Sequence, residues 1–141
     1  MERPALLSPT AATTSLVDSN PGWHLGGPAD CKSPFLKDML AGDSTYHPYR
    51  AAADFNGDGL LDQAAVLIKG DSGRIFWFPA RNGGYDSAQL LGAVDWITEG
   101  GLVVRDRDVL FGKFYSDVVT VWEWNPSIRQ LEVVPEPPPE D

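Results

Sequence analysis

Residues 54–69 have the sequence DFNGDGLLDQAAVLIK, and this stretch carries the clearest structural signal in the chain. Oxygen-bearing side chains stand at its first, third, fifth and ninth positions, and a glycine stands at its sixth. The apolar run 63–69, which ends before Gly70, is typical of a buried β-strand. The stretch therefore predicts a polar loop that runs directly into the first central strand of a β-domain.

The polar loop would place three carboxylates, those of Asp54, Asp58 and Asp62, in one tight turn. Two unit charges about 5 Å apart repel each other by roughly 3 kcal/mol at an effective dielectric constant of about 20. A fold avoids this cost if a cation lies between the carboxylates or if protons are taken up. Ca²⁺ suits such oxygen donors. We therefore predict a calcium site with five ligands: Asp54, Asn56, Asp58, the backbone carbonyl of Leu60, and Asp62.

The loop differs from an EF-hand in two respects. Its twelfth position is Ala65, where an EF-hand has a bidentate glutamate, and the segment that follows is a predicted strand instead of a helix. The alternative interpretation is a solvated Asn-Gly and Asp-Gly turn whose aspartates bond to their own backbone.

Residues 54–66 resemble the FG-GAP repeats of the integrin-α type and the related VCBS repeats, whose loops run Asp-x-Asp/Asn-x-Asp-Gly-x-x-Asp straight into a β-strand. The resemblance implies that Asp62 coordinates the ion directly and replaces the missing glutamate. Members of that family usually carry several such loops and close into a propeller, whereas this sequence contains one. The stretch from His47-Pro48-Tyr49 onward is also similar to small single-loop bacterial relatives, so we expect a relative of that kind.

Length and composition favour one globular domain with a substantial core, since the chain has 141 residues, 43% of them hydrophobic, and five tryptophans. The formal net charge of −9 argues against nucleic acid and against anionic membrane surfaces, because both require a basic surface. It favours a metal cation or a basic protein partner. No apolar run approaches the roughly 18 residues that a membrane-spanning helix needs.

The cellular compartment is predicted from weak signals. The lone Cys31 cannot form an intrachain disulfide, and an unpaired thiol fits the cytosol slightly better than the exterior. The first seven residues lack the apolar core of a secretory signal. Calcium loops outside the cytoplasm, however, meet millimolar Ca²⁺ and function with weak affinity. We therefore expect an extracytoplasmic location, periplasmic or secreted, with the cytoplasm as the alternative.

The predicted fold is mainly β, a single antiparallel meander or a small barrel-like or propeller-like sheet with one short helix and one calcium loop. We expect a poorly ordered lead-in over 1–22 with a short strand near Leu16, a domain over 23–134, and a disordered Pro/Glu tail over 135–141. Strands are expected at 63–69, 74–80, 85–91, 102–105, 108–111, 117–124 and 128–134.

The predicted helix covers residues 33–42, with Ser33 as N-cap, Pro34 in the first turn and Gly42 at its end. One helical face should pack on the sheet as core: Phe35, Leu36, Met39 and Leu40. Turns are expected at 70–73, at Asn82-Gly83-Gly84 and at Asn125-Pro126-Ser127.

Three other groups of residues are candidates for a binding or catalytic site, although none has a spacing that is specific to one. His24, Cys31 and His47 are potential zinc ligands, but their spacing matches no compact zinc motif. Some of the aromatic side chains could form a sugar-binding or protein-binding patch, although core packing explains most of them. A carboxylate pair for hydrolysis could come from Asp95, Glu99, Asp106, Asp108, Asp117 or Glu123.

The functional hypothesis is a non-catalytic calcium-binding β module that binds a protein partner. The resemblance to single-loop bacterial proteins suggests a sharper form, an inhibitor or immunity protein of a bacterial wall-degrading enzyme, whose basic surface would suit an acidic inhibitor. The alternative is a hydrolase that uses a carboxylate pair or the loop metal.

Overall fold

The computed structural model describes residues 9–81, 84–86, 88–105, 108–113 and 119–134. These residues form a mainly β domain with antiparallel sheets and no closed barrel among them, as the sequence predicts. The two α-helices are α1 (Pro9–Asp18) and α2 (Leu36–Gly42), and short 3₁₀ turns cover Pro28–Asp30 and Ile97–Glu99. The strands are β1 (His24–Leu25), β2 (Arg50–Ala53), β3 (Asp62–Lys69), β4 (Ser72–Phe78), β5 (Ala80–Arg81), β6 (Gly84–Tyr85), β7 (Gln89–Val94), β8 (Gly100–Arg105), β9 (Asp108–Lys113), β10 (Val119–Asn125) and β11 (Gln130–Val133).

Two sheets form the body of the domain. In the first, β3 lies between β4 on one edge and both β1 and β2 on the other, and β7 pairs with β4. The second sheet is the four-stranded meander β8-β9-β10-β11. Strands β5 and β6 form a separate two-stranded hairpin. The predicted meander is therefore present, divided over two sheets.

The turns at 70–73 and 125–127 are confirmed. Lys69 pairs with Ser72, so Gly70 and Asp71 form a two-residue hairpin turn in which Gly70 has a φ of 63°. Asn125 pairs with Gln130 across the second turn. Of the turn predicted at Asn82-Gly83-Gly84, residues 82 and 83 lie outside the described residues, and β5 and β6 flank them.

The core lies between the inner faces of the two sheets. Trp122 of β10 is 2% exposed, its indole Nε1 donates a hydrogen bond to the Leu91 carbonyl at 3.2 Å, and its ring lies over Gly92 of β7. A Cβ at Gly92 would stand 3.0 Å from this ring, so the glycine provides the space that the indole fills. The other buried members of this cluster include Phe55, Val66, Ile75, Trp77, Val94, Leu102, Val109, Phe111 and Leu131.

The segment before β2 joins the sheets. The Tyr46 hydroxyl donates to the Leu102 carbonyl at 2.9 Å, and the buried Tyr49 hydroxyl donates to the Ile97 carbonyl at 3.0 Å. The Leu102 N–H in turn donates to the Pro48 carbonyl at 2.7 Å. These bonds fix the start of β2, and therefore the entrance to the polar loop that follows it.

The expectation of a short strand near Leu16 is wrong, because the described residues there form a helix. Residues 9–18 form α1, whose Ala12 and Leu16 belong to a buried cluster on the outer face of the first sheet, together with Ala65, Leu67, Phe76 and Phe78. The two side chains are four residues apart and therefore lie on one face of the helix. Packing of this face stabilises the helix, although the local sequence favours a helix only weakly. Residues 1–8 and the tail 135–141 lie outside the described residues.

The predicted helix at 33–42 is shorter than expected and does not provide core. It begins at Leu36, and the Ser33 Oγ accepts the Phe35 N–H at 3.2 Å without capping the helix. No residue of α2 is buried, and Phe35 is 41% exposed. The physical reason is that the second sheet already covers the inner face of the first sheet. Helix α2 therefore lies outside the core between the sheets.

Four of the predicted strands match the structure closely. The predicted strands at 63–69, 102–105, 108–111 and 128–134 coincide with or overlap β3, β8, β9 and β11. The strand expected at 74–80 ends at Phe78, and the one at 85–91 is divided between β6 and β7. Strand β10 begins at Val119, and residues 117 and 118 lie outside the described residues. Strands β1 and β2 were not expected.

Candidate metal-binding loop

The polar loop connects two paired strands. Strand β2 ends at Ala53, β3 begins at Asp62, and these two residues are partners in the antiparallel ladder. The first and ninth positions of the loop, Asp54 and Asp62, are therefore brought together by strand pairing. A loop that continues directly into a strand is what the sequence predicts for this stretch.

The carboxylate of Asp54 organises the turn. Its Oδ1 accepts the N–H groups of Gly57 at 2.8 Å and Asp58 at 3.1 Å, and its Oδ2 accepts the Gly59 N–H at 2.9 Å. Gly57 and Gly59 have φ values of 75° and 87°, in the left-handed region that favours glycine. The side chain at the first position thus folds the loop back towards its own start.

Asp62 is fully buried and bonds to two separate segments. Its Oδ2 accepts the Phe55 N–H at 3.1 Å, and its Oδ1 accepts the Ala80 N–H at 2.7 Å. The carboxylate therefore holds the start of the loop against the start of β5. Each oxygen of the carboxylate thus accepts a backbone N–H group. The loop pattern in the sequence does not predict this structural role.

Burial raises the pKa of the Asp62 carboxyl above its usual value, and the Ala80 N–H and the indole of Trp77 oppose this rise. The negative charge of Asp58 raises the pKa further, which means that these two carboxylates interact. The Trp77 Nε1 lies close enough to influence the carboxylate, but it is buried and makes no hydrogen bond of normal length and angle. The protonated form of the Asp62 carboxyl is thus favoured more than that of a solvent-exposed aspartate.

The remaining predicted ligands lie at the exposed side of the loop. Asn56 Oδ1 accepts the Asp58 N–H at 3.3 Å, and Asp58 Oδ1 accepts the Leu60 N–H at 2.9 Å. Across the described parts of the chain, no three His, Cys, Asp or Glu side chains are gathered closely enough to hold a metal ion. The oxygen donors therefore suit Ca²⁺ in type and chain order, while the carboxylates are not drawn together around a common centre.

A cavity of about 580 Å³ opens beside the loop. Asn56 and Asp58 form part of its wall, and Trp124 lies on another side with its ring 5.8 Å from that of Trp77 in an edge-to-face arrangement. Sequence reasoning did not connect Trp124 with the loop, because β10 is more than 50 residues away. The other lining residues are Gly57, Pro79, Ala80, Arg81, Asp86, Pro126 and Arg129.

The three potential zinc ligands serve other purposes. His24 Nε2 lies 2.8 Å from Asp30 Oδ1, and His47 Nδ1 accepts the Tyr49 N–H at 3.0 Å. Burial, with a smaller effect of Arg50, lowers the pKa of His47. Cys31 is half-buried and packs beside the core. None of the three belongs to a metal-binding group among the described residues.

Of the carboxylates considered for hydrolysis, two line one cavity and two lie on strands of the second sheet. Asp95 and Glu99 line a second cavity, whereas Asp108 and Glu123 lie on β9 and β10. Asp106 and Asp117 lie outside the described residues.

Comparison of the chain with protein-family models, with curated proteins and with solved structures found no match. None of the helices in the described ranges combines the length and apolar character required to cross a bilayer.

Proposed function

We propose that the chain is a non-catalytic calcium-binding β module that binds a protein partner. The single observation that carries the proposal is the pairing of Ala53 with Asp62, which brings the first and ninth positions of the loop together. The three backbone N–H groups that the Asp54 carboxylate accepts hold the turn, and they are common to this proposal and to the metal-free turn. This conformation keeps Asn56 and Asp58 at the head of the turn. Asp54, Asn56, Asp58, the Leu60 carbonyl and Asp62 would hold the ion.

The electrostatics of the loop support a cation in this place. Asp58 and Asp62 repel each other, and burial disfavours the charge on Asp62. A divalent cation would remove both unfavourable effects, because it compensates the carboxylates without requiring protons. In the alternative, a turn held by its own backbone bonds alone, the N–H groups of Phe55 and Ala80 compensate the charge of Asp62 only in part.

Calcium is expected to stabilise the fold. Because the unfolded chain has no preformed site, the free energy of coordination adds to that of folding. At free Ca²⁺ about a hundredfold above its dissociation constant, the gain is about 2.7 kcal/mol, which corresponds to roughly 5–10 °C in melting temperature. Calorimetric melting of EDTA-treated protein, with Ca²⁺ or Mg²⁺ added back, measures this shift.

Two isosteric variants provide the control for this melting experiment. Asp58→Asn removes a charged ligand at the exposed side of the loop and should abolish the calcium shift. Asp18→Asn changes the net charge equally at the exposed end of α1 and should preserve the shift. A melting temperature that does not respond to millimolar Ca²⁺ in the unmodified protein would exclude this role for the loop.

The partner that we propose is a basic protein, and the sharper candidate is a bacterial wall-degrading enzyme that the module inhibits. The net charge of −9 supports this choice, because an acidic inhibitor would associate rapidly with a basic enzyme in a salt-sensitive manner. Immobilised protein should retain such a hydrolase from a lysate in Ca²⁺ and release it in EDTA. Failure to recover any hydrolase would argue against the proposal that the module is an inhibitor. The shift of the melting temperature by Ca²⁺ tests the loop separately.

A further inference from the structure

His47 lies where the chain enters the first sheet, three residues before the start of β2. Its Nδ1 accepts the backbone N–H of Tyr49 at 3.0 Å. A neutral imidazole has one N–H donor and one acceptor nitrogen, so this hydrogen bond places the ring proton on Nε2. The bond exists only in the neutral form of the side chain, because the Nδ1 of an imidazolium carries a proton and cannot accept another.

The N–H group in this bond cannot turn to solvent instead. Tyr49 is 0% exposed. Its carbonyl accepts the Val66 N–H of β3 at 3.1 Å, and its hydroxyl donates to the Ile97 carbonyl at 3.0 Å. These bonds fix the backbone and the side chain of Tyr49 in place. Protonation of His47 would therefore leave a buried donor without its acceptor, which destabilises the folded state.

The residues on both sides of His47 bond to the second sheet. The Tyr46 hydroxyl donates to the Leu102 carbonyl at 2.9 Å, and the Pro48 carbonyl accepts the Leu102 N–H at 2.7 Å. Tyr49, which follows them, bonds to β3 of the first sheet. The bond from Tyr49 to His47 therefore lies in the segment that connects the two sheets, and its loss would weaken this connection.

The surroundings of the ring disfavour its charged form. His47 is half-buried and lines a cavity of about 630 Å³ beside α2, to which β8 contributes the apolar side chains of Val103 and Val104. Burial, with a smaller effect of the positive charge of Arg50, lowers the pKa of His47. The other titratable groups in the lining do not reverse this direction: Asp38, Asp43 and Tyr46. The Asp43 carboxylate accepts the N–H and the hydroxyl of Thr45.

We propose that His47 is an acid-sensitive switch: a proton taken from solvent onto its Nδ1 releases the Tyr49 N–H and weakens the connection between the two sheets. In the unfolded chain, His47 takes up this proton near the ordinary histidine pKa of about 6.5. In the folded chain its pKa is lower, so the unfolded state binds the proton first as the pH falls. The stability contributed by His47 is therefore complete well above about pH 6.5 and is lost as the pH falls towards the folded-state pKa. The switch does not depend on calcium.

Urea denaturation of EDTA-treated protein at pH 7.5 and pH 5.5, compared with that of His47→Asn, tests the switch. Asparagine has an oxygen at the δ1 position that can accept the Tyr49 N–H and does not titrate. Between the two pH values, the unfolding equilibrium constant of the unmodified protein should rise about fivefold more than that of His47→Asn, the factor expected for one lost hydrogen bond. The comparison also removes the effect of Asp62, whose raised pKa acts in the opposite direction.

His24→Asn is the matched control, because His24 is the other histidine of the chain and lies 2.8 Å from Asp30 in a different segment. This variant should keep the excess destabilisation at pH 5.5, and circular dichroism verifies that each variant is folded. NMR titration of the unmodified protein is an independent measurement. The His47 ring should carry its proton on Nε2 at pH 7.5, and the Tyr49 amide signal should shift with a midpoint below about 6.5.

Three results would overturn the inference. The first is the same pH dependence in His47→Asn as in the unmodified protein, and the second is loss of the excess destabilisation in His24→Asn. The third is a His47 midpoint at or above about 6.5, since the folded state would then bind the proton at least as well as the unfolded state. These measurements are made without calcium, so their outcome is separate from that of the calcium experiments.

Discussion

Replacement of Asp62 by asparagine should lower the free energy of unfolding by about 2–3 kcal/mol in EDTA, and by more in Ca²⁺, where a predicted ligand is lost as well. The Asp62 carboxylate is fully buried and accepts two backbone N–H groups, from Phe55 and Ala80. An asparagine can offer only one oxygen, so its amide NH₂ would face an N–H donor, and one buried donor would lose its acceptor. Urea denaturation followed by tryptophan fluorescence measures the change.

Asp58→Asn is the matched control for this substitution, because it makes the same chemical change in the same loop. Asp58 is exposed and accepts one short-range hydrogen bond, from Leu60. In EDTA, its free energy of unfolding should therefore stay within about 0.5 kcal/mol of that of the unmodified protein. If Asp62→Asn were equally harmless in EDTA, the structural role assigned to the buried carboxylate would be wrong.

Replacement of Trp122 by alanine should lower the free energy of unfolding by about 3–5 kcal/mol. The indole is 2% exposed, fills the space over Gly92 of the facing sheet and donates to the Leu91 carbonyl. Alanine would leave a large void between the sheets and an unpaired backbone carbonyl. A domain of this size has a total stability of roughly 5–15 kcal/mol, so the loss is a large part of the whole.

Trp122→Phe separates the two contributions, since phenylalanine retains most of the apolar volume and loses the N–H donor. Trp122→Phe should lower the free energy of unfolding by about 1–2 kcal/mol, which is clearly less than the decrease expected for Trp122→Ala. Urea denaturation monitored by far-ultraviolet circular dichroism avoids the loss of the fluorophore. A cost below about 1 kcal/mol for Trp122→Ala would contradict the face-to-face packing of the two sheets.

The strands after the polar loop could be predicted because their side chains satisfy local rules. The apolar run 63–69 and the Gly70-Asp71 turn specify the β3–β4 hairpin, and Asn125-Pro126-Ser127 specifies the turn between β10 and β11. The position of the polar loop between two strands was predictable for the same reason. Its oxygen donors, its glycines and its strand are all contiguous in sequence.

The elements that were missed depend on contacts between distant residues. Helix α1 is stabilised by burial of Ala12 and Leu16 on the first sheet, and β2 is a strand because it pairs with β3. Neither contact has a local signature. The double hydrogen bonding of Asp62 is similar, since Ala80 is 18 residues away, and the loop pattern predicts a ligand at this position without indicating its structural bonds.

The central claim, that Ca²⁺ occupies the loop between β2 and β3, is tested most directly by isothermal titration calorimetry of EDTA-stripped protein with CaCl₂. We expect saturable heat for one ion per chain, with a dissociation constant no weaker than about 10⁻³ M, and no such heat for Asp58→Asn. Absence of binding heat in the unmodified protein up to about ten times that concentration would contradict the claim.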